Sequence, residues 1–169
     1  MVLCAVTLLG QALSREYQLK ALFLYRFTQF VDWPGSAFKT PASPIVIGVL
    51  GTDPFRGNLE SAVRNERVHH RQLDIKRYSR ILDATNCHLL FISSSENRSL
   101  EKILAELKGR SILTVGETEG FASKGGMIEL FTEQNRIRFR INVKATREAK
   151  LQVSSKMLEL GEVVDAQQE

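Results

Sequence analysis

The chain has 169 residues, enough for one domain with one proper core, and an apolar content of 43% that is ordinary for a globular protein. Its net charge of +4 is mildly basic, which permits contact with acidic partners or a membrane surface, but no run of like charges forms a nucleic-acid arm. No stretch is long enough to span a bilayer as a folded protein's transmembrane helix, and there is no internal repeat or low-complexity segment.

Residues 2–9 are almost entirely apolar, Gly10 breaks the run, and Ala12-Leu13-Ser14 places small residues where a signal peptidase reads them. Residues 1–14 are therefore expected to be a signal peptide, 15–163 the folded domain and 164–169 a flexible tail. No lysine or arginine precedes Arg15, so the expected peptide is a truncated one; the alternative is a buried N-terminal helix or strand. Removal of the peptide leaves Cys87 alone, unable to form an internal disulfide and best read as a small core residue.

Residues 16–31 predict a first helix. Leu19, Phe23, Phe27 and Phe30 share one stripe with Leu22 beside it, enough apolar surface to dock the helix on a sheet. Arg26 falls on that stripe, so it must reach the edge or meet a carboxylate. Asp32-Trp33-Pro34-Gly35 ends the helix. Residues 45–50 form a short β-branched strand of the kind buried on both faces. Asp53 and Pro54 then predict a helix start, with the helix covering residues 55–65. Gly48, Gly51 and Gly57 lack the spacing of a dinucleotide or nucleotide loop. His69 and His70 have no neighbours at metal-ligand spacing.

Residues 73–78 alternate as a half-exposed strand does, and residues 81–85 form a short turn or helix. Leu89-Leu90-Phe91-Ile92, preceded by Cys87-His88 and stopped by Ser93-Ser94-Ser95, predicts a central strand buried on both faces. Ser99 starts a helix over residues 100–107 that ends at Gly109, and residues 112–115 form another strand. Residues 117–122 make a short helix or turn. Residues 127–132 and 136–142 read as a hairpin. Its second strand turns Ile137, Phe139 and Ile141 one way and Arg136, Arg138 and Arg140 the other. The three arginines either pair with Glu129 or Glu133 across the hairpin or form a surface for an acidic partner. Asn142 caps a helix to residue 150, and Ser154 or Ser155 starts a last helix reaching residue 163. Alternation of strands and amphipathic segments predicts an α/β fold: a Rossmann-like three-layer sandwich, largely parallel, with a C-terminal antiparallel hairpin.

Five segments, in order, resemble the YfiR family of bacterial periplasmic proteins. They are the helix Ala21-Leu22-Phe23-Leu24-Tyr25-Arg26-Phe27 continuing to Pro34, Gly51-Thr52-Asp53-Pro54-Phe55, Cys87-His88-Leu89-Leu90-Phe91-Ile92-Ser93, Leu113-Thr114-Val115 through Met127-Ile128, and Arg138-Phe139-Arg140-Ile141-Asn142 with residues 151–160. The match covers residues 16–163. Arg26 stands where the family would carry asparagine and Glu117 where aspartate is usual. The resemblance implies a periplasmic, non-enzymatic regulator that binds the periplasmic sensor region of an inner-membrane diguanylate cyclase and restrains cyclic di-GMP output and biofilm formation. A histidine kinase is the alternative partner, a homodimer is compatible, and no cofactor is called for.

The residues themselves agree by what they lack. Cys87 and His88 are adjacent, so a strand points them to opposite faces and they cannot pair as nucleophile and base. The candidate partner surface comprises Arg136, Arg138 and Arg140 together with Tyr25, Arg26 and Trp33. The alternative function is small-ligand binding in a crevice beyond the carboxyl ends of the strands, around Gly51, Asp53, Ser93, Ser94, Ser95, Gly116 and Glu117.

Overall fold

The computed structural model describes the backbone of residues 2–164 and the side chains of residues 10–164. In chain order the elements are α1 (Val2–Phe30), β1 (Val31–Asp32), β2 (Ile45–Leu50), α2 (Asn58–Val63), β3 (Arg67–Val68), β4 (Arg71–Tyr78), β5 (Leu89–Ile92), α3 (Leu100–Leu107), β6 (Leu113–Gly116), β7 (Ile128–Glu133), β8 (Arg136–Asn142), α4 (Val143–Glu148), β9 (Gln152–Val153), α5 (Ser155–Leu160) and β10 (Glu162–Val164). Short 3-10 turns lie at Gly35–Ala37, Ile81–Ala84 and Ser94–Ser99.

Eight strands make one sheet in the order β10-β8-β7-β6-β5-β2-β4-β3. Strands β2, β4, β5, β6 and β7 are parallel, β8 returns antiparallel to β7, and β10 lies parallel to β8. This is the expected largely parallel α/β sandwich with its C-terminal hairpin. The central strand β5 is buried along its whole length, and its side chains divide between two cores. Leu89 and Phe91 join the core under α1, α2 and α5, whereas Leu90 and Ile92 join the core under α3. Cys87 lies in the second core, where its Sγ donates to Ala84 O and burial pushes the thiol up to about 12.

Helix α1 docks with only part of its expected stripe: Phe27 is buried and Phe23 and Phe30 pack partly against the core. Its buried face carries Lys20, Ala21, Leu24, Tyr25, Phe27 and Thr28, while Leu19 and Leu22 are 43% and 46% exposed. The physical reason is charge: seating the Leu19–Phe23–Phe30 face on the sheet would drive Arg26 into the core unpaired. Lys20 is buried instead, within reach of two carboxylates. The helix begins at Val2 and passes unbroken through the expected cleavage point after Ser14, with residues 10–15 exposed. The side chains of residues 1–9, and residues 165–169 of the expected tail, lie outside the described residues; Val164 ends β10.

Three further boundaries differ from expectation. The helix placed at residues 55–65 is only Asn58–Val63, because Asp53 Oδ1 accepts from Phe55 N in a local turn at 2.7 Å rather than capping a helix. Strand β3 pairs antiparallel with β4 through a tight turn at His69 and His70, both at positive φ. The last helix stops at Leu160: Gly161 is extended, and a side chain there would strike Phe139 and Ile141, so the chain passes close and continues as β10. The short ladder between β1 and β9 ties the end of α1 to the C-terminal segment.

His88 anchors the loop that follows α1. Its Nδ1 accepts from Val46 N at 3.0 Å and its Nε2 donates to Ala37 O at 3.1 Å, which selects one neutral tautomer. Phe38 stacks on the ring at 4.5 Å, Trp33 meets it edge-on, and Trp33 Nε1 donates to His88 O at 3.0 Å. Burial holds the imidazole below its ordinary range, and the nearby Arg71 acts in the same direction against the Ala37 carbonyl. A depressed folded value means that the unfolded chain binds the proton first. Stability is therefore full above about 6.5 and falls as pH drops below it, by up to ~1.4 kcal/mol per pH unit until the folded value is reached. Urea unfolding at pH 7.5 and 5.5 is expected to show lower stability at the lower pH in the wild type, a loss that His88→Gln does not share.

Candidate functional site

The connections from β2 and β5 leave to opposite faces of the sheet, through α2 and α3, so the crevice expected from topology opens between the carboxyl ends of these two strands. The loops there close on each other. Thr52 N donates to Ser95 Oγ at 3.0 Å, and Ser93 Oγ accepts from Ser95 N at 3.4 Å. Gly51 has φ +87°, and a Cβ on it would collide with Ser95 and Glu96. Asp53 pairs with Arg77 at 2.8 Å, and Arg77 also grips Glu60. Gly116 lies directly under the Phe121 ring. Five of the seven crevice residues are thus engaged with one another or with their neighbours, and Ser94 and Glu117 are the two that line open space.

That space, about 550 Å³, lies beside α1 and the hairpin. On one wall Lys20 Nζ stands 2.5 Å from Glu117 and 2.6 Å from Glu16, and Tyr17 OH donates to Glu117 at 2.9 Å. Burial, reinforced by Glu117, pushes the Tyr17 phenol up, so Tyr17 remains a donor. On the other wall Arg140 reaches Glu129 at 3.0 Å and Glu162 at 3.2 Å and lies over the Phe131 ring at 3.9 Å. Glu129 is buried and also accepts from Ala122 N at 3.0 Å and Gly120 N at 3.4 Å. Every charge facing this cavity from Lys20, Glu117, Glu129 and Arg140 has an opposite partner. The arrangement can hold a polar molecule by exchanging those pairs. Tyr17 and Lys20 were not singled out in the sequence; their i, i+3 spacing on one face of α1 was the available signal.

The residues expected to face a partner are distributed unevenly. Tyr25 is 7% exposed, its OH donating to Glu66 at 2.7 Å and accepting from Gln29 Nε2 at 2.9 Å. Trp33 is half-buried against His88. Arg138 pairs with Glu133 at 2.5 Å and Glu162 at 3.2 Å, so two of the three arginines are matched by carboxylates across the hairpin and from β10. Arg136 is exposed and, among the described residues, has no ion pair.

Arg26 is exposed and borders an apolar concavity on the surface of α1. This groove, about 400 Å³, runs between α1 and α5. Leu19, Leu22, Phe23 and Phe30 form one side, Leu160 (64% exposed) the other, and Phe27, Phe139 and Met157 the floor. Its aromatic floor is rigid: Phe27 and Phe139 meet edge-on at 5.1 Å. Of the stripe expected to dock on the sheet, Phe27 lies in the core and Phe23 and Phe30 pack partly against it, while Leu19 and Leu22 remain exposed along this groove. Among the described residues, no group of three or more His, Cys, Asp or Glu is placed to hold a metal ion, and no helix is long and apolar enough to cross a membrane.

Two substitutions probe the carboxyl-end site. Glu117→Leu removes the main partner of a buried ammonium and is expected to destabilise the protein by about 3 kcal/mol in chemical denaturation. Gly51→Ala forces a Cβ onto a left-handed backbone against Ser95 and is expected to lower stability by about 1–3 kcal/mol, read as a shift in the unfolding midpoint.

No curated protein matches the chain significantly. The sequence profile of YfiR/HmsC-like proteins matches residues 17–162, which runs from the first turn of the buried part of α1 to the start of β10. The chain belongs to the YfiR/HmsC-like family.

Proposed function

We propose that the protein is a periplasmic, non-enzymatic regulator that binds the periplasmic sensor region of an inner-membrane signalling protein, a diguanylate cyclase that it holds inactive, thereby lowering cyclic di-GMP and biofilm formation. Family membership supports the regulatory class. The observation that carries a protein partner is the groove between α1 and α5. Three leucines between 43% and 64% exposed surround a floor of two phenylalanines and a methionine, with Arg26 as the bordering charge. Aromatic and aliphatic groups around one concave patch, with arginine beside them, make up the composition of an interface core. The arginine row contributes at its Arg136 end, where no ion pair forms among the described residues.

The cavity beside Lys20 and Glu117 supports a second reading, a small-ligand site whose occupant would act by exchanging the salt bridges of α1 and the hairpin. The two readings are compatible, since α1 lines both the cavity and the groove.

Crosslinking in the envelope of the native host, followed by mass spectrometry of captured membrane proteins, tests the proposal. The expected result is recovery of a membrane protein with a periplasmic sensor and a cytoplasmic diguanylate cyclase domain, lost for Leu22→Glu and for Leu160→Glu. Both side chains are exposed, so these variants keep the fold, which circular dichroism checks. A histidine kinase captured in the same groove-dependent way would retain the regulator and discard the cyclase. A cyclase captured equally by both variants would move the interface elsewhere.

A further inference from the structure

The opposite end of the sheet holds a second concavity, about 510 Å³, at the amino ends of β2, β5 and β6. It is walled by the loop after α1, by Asp74 and Lys76 of β4, and by the residues leading into β5 and β6. The loop wall is held in place from two sides. His88 grips Ala37 and stacks on Phe38, and Arg71 lies over the Phe38 ring at 3.7 Å while donating to Ser43 O at 2.7 Å and Thr40 O at 3.2 Å. A ligand would therefore meet a formed wall and would not have to order it.

The charge of this concavity is one-sided. Lys39, Lys76 and Arg110 line it, and Asp74 is its one carboxylate. None of the three cations has a carboxylate within salt-bridge distance among the described residues, and Arg110 Nε spends one donor on Glu106 O at 3.1 Å. By contrast, Arg140 and Lys20 at the other end of the sheet are each matched by two carboxylates. The other groups in the wall add no negative charge: His88 is neutral and both its nitrogens are engaged, and the Cys87 thiol donates to Ala84 O. Thr85, Asn86 and Ser111 supply uncharged hydrogen-bond donors between the cations.

We propose that this amino-end concavity binds a small organic dianion, a phosphate monoester or a dicarboxylate. Three cations against one carboxylate leave two positive charges to neutralise. The volume lies within the range of small-molecule sites, about 300–1,000 Å³. Arg110 offers the planar fork that oxyanions accept, and the two lysines offer mobile point charges that close over it. The site is separate from the groove and from the carboxyl-end cavity, and the proposal does not depend on the identity of any protein partner.

Isothermal titration and amide chemical-shift mapping of the full chain, with inorganic phosphate and with succinate at ionic strength held constant by sodium chloride, test it. The expected result is saturable binding of at least one of the two, with shifts centred on residues 36–46, 74–76 and 85–88. Binding should weaken about tenfold in Lys76→Ala and in Arg110→Ala, the loss of one charge-assisted contact each, and stay unchanged in Lys102→Ala on α3. Phosphate alone saturating would identify the monoester class, succinate alone the dicarboxylate class. The proposal is overturned if neither saturates up to tens of millimolar, if both pocket variants bind as the wild type does, or if Lys102→Ala weakens binding as much as they do. Lys76 and Arg110 are exposed, so their truncation leaves the fold in place, and thermal unfolding verifies this.

Discussion

Burial of the central sheet on both faces is the constraint from which the rest of the structure follows. Strand β5 sends alternate side chains into two cores, and its neighbours β2 and β6 are also buried at every position. A sheet of this kind cannot be stable with one layer of helices. The chain meets the requirement by placing α1, α2 and α5 on one side and α3 on the other. The carboxyl-end loops then diverge between β2 and β5, and the amino ends of the same strands are left uncovered beside the loop after α1. Both concavities are consequences of covering a parallel sheet.

The distribution of charge distinguishes the two ends. At the carboxyl end, carboxylates and cations are interleaved: Glu117 with Lys20, Glu129 with Arg140, Glu162 with Arg138 and Arg140. The pairs of Lys20 and Glu129 specify geometry, because breaking either leaves a buried charge with less compensation. Together the interleaved pairs fix α1 to the start of the loop after β6 and the hairpin to the edge strand. At the amino end the cations are left unmatched, and the polar contacts hold backbone rather than charge, with His88 and Arg71 clamping the loop through its carbonyls.

Helix α1 carries three different tasks on its circumference. Ala21, Leu24 and Phe27 meet the sheet, Tyr17 and Lys20 wall the carboxyl-end cavity, and Leu19, Leu22, Phe23 and Phe30 face the groove. Since Phe27 belongs to both core and groove, a partner seated in the groove would press on a side chain that is packed directly into the domain.

Local pattern alone determined the class of fold, the order of its elements, the central position of residues 89–92, the hairpin and the Asn142 and Ser154 caps, because strand and helix periodicities and capping chemistry depend on neighbours within a few residues. Tertiary structure decided what the same pattern left open. The stripe at Leu19, Phe23, Phe27 and Phe30 has a helix period whichever surface it meets, and the competition between burying Arg26 and burying a paired Lys20 seated Phe27 in the core while leaving Leu19 exposed toward α5. Asp53 could cap a helix or a turn, and contact with Arg77 and Phe55 settled the turn. The arginine row alternates correctly, yet its neutralisation depended on Glu162 arriving from β10, which the helical reading of residues 161–163 had hidden. The crevice residues were placed at the right end of the sheet, but whether loops meet or leave a cavity depends on atoms far apart in the chain, and there Ser95 filled the space above Gly51 while Lys20 and Glu117 kept theirs open.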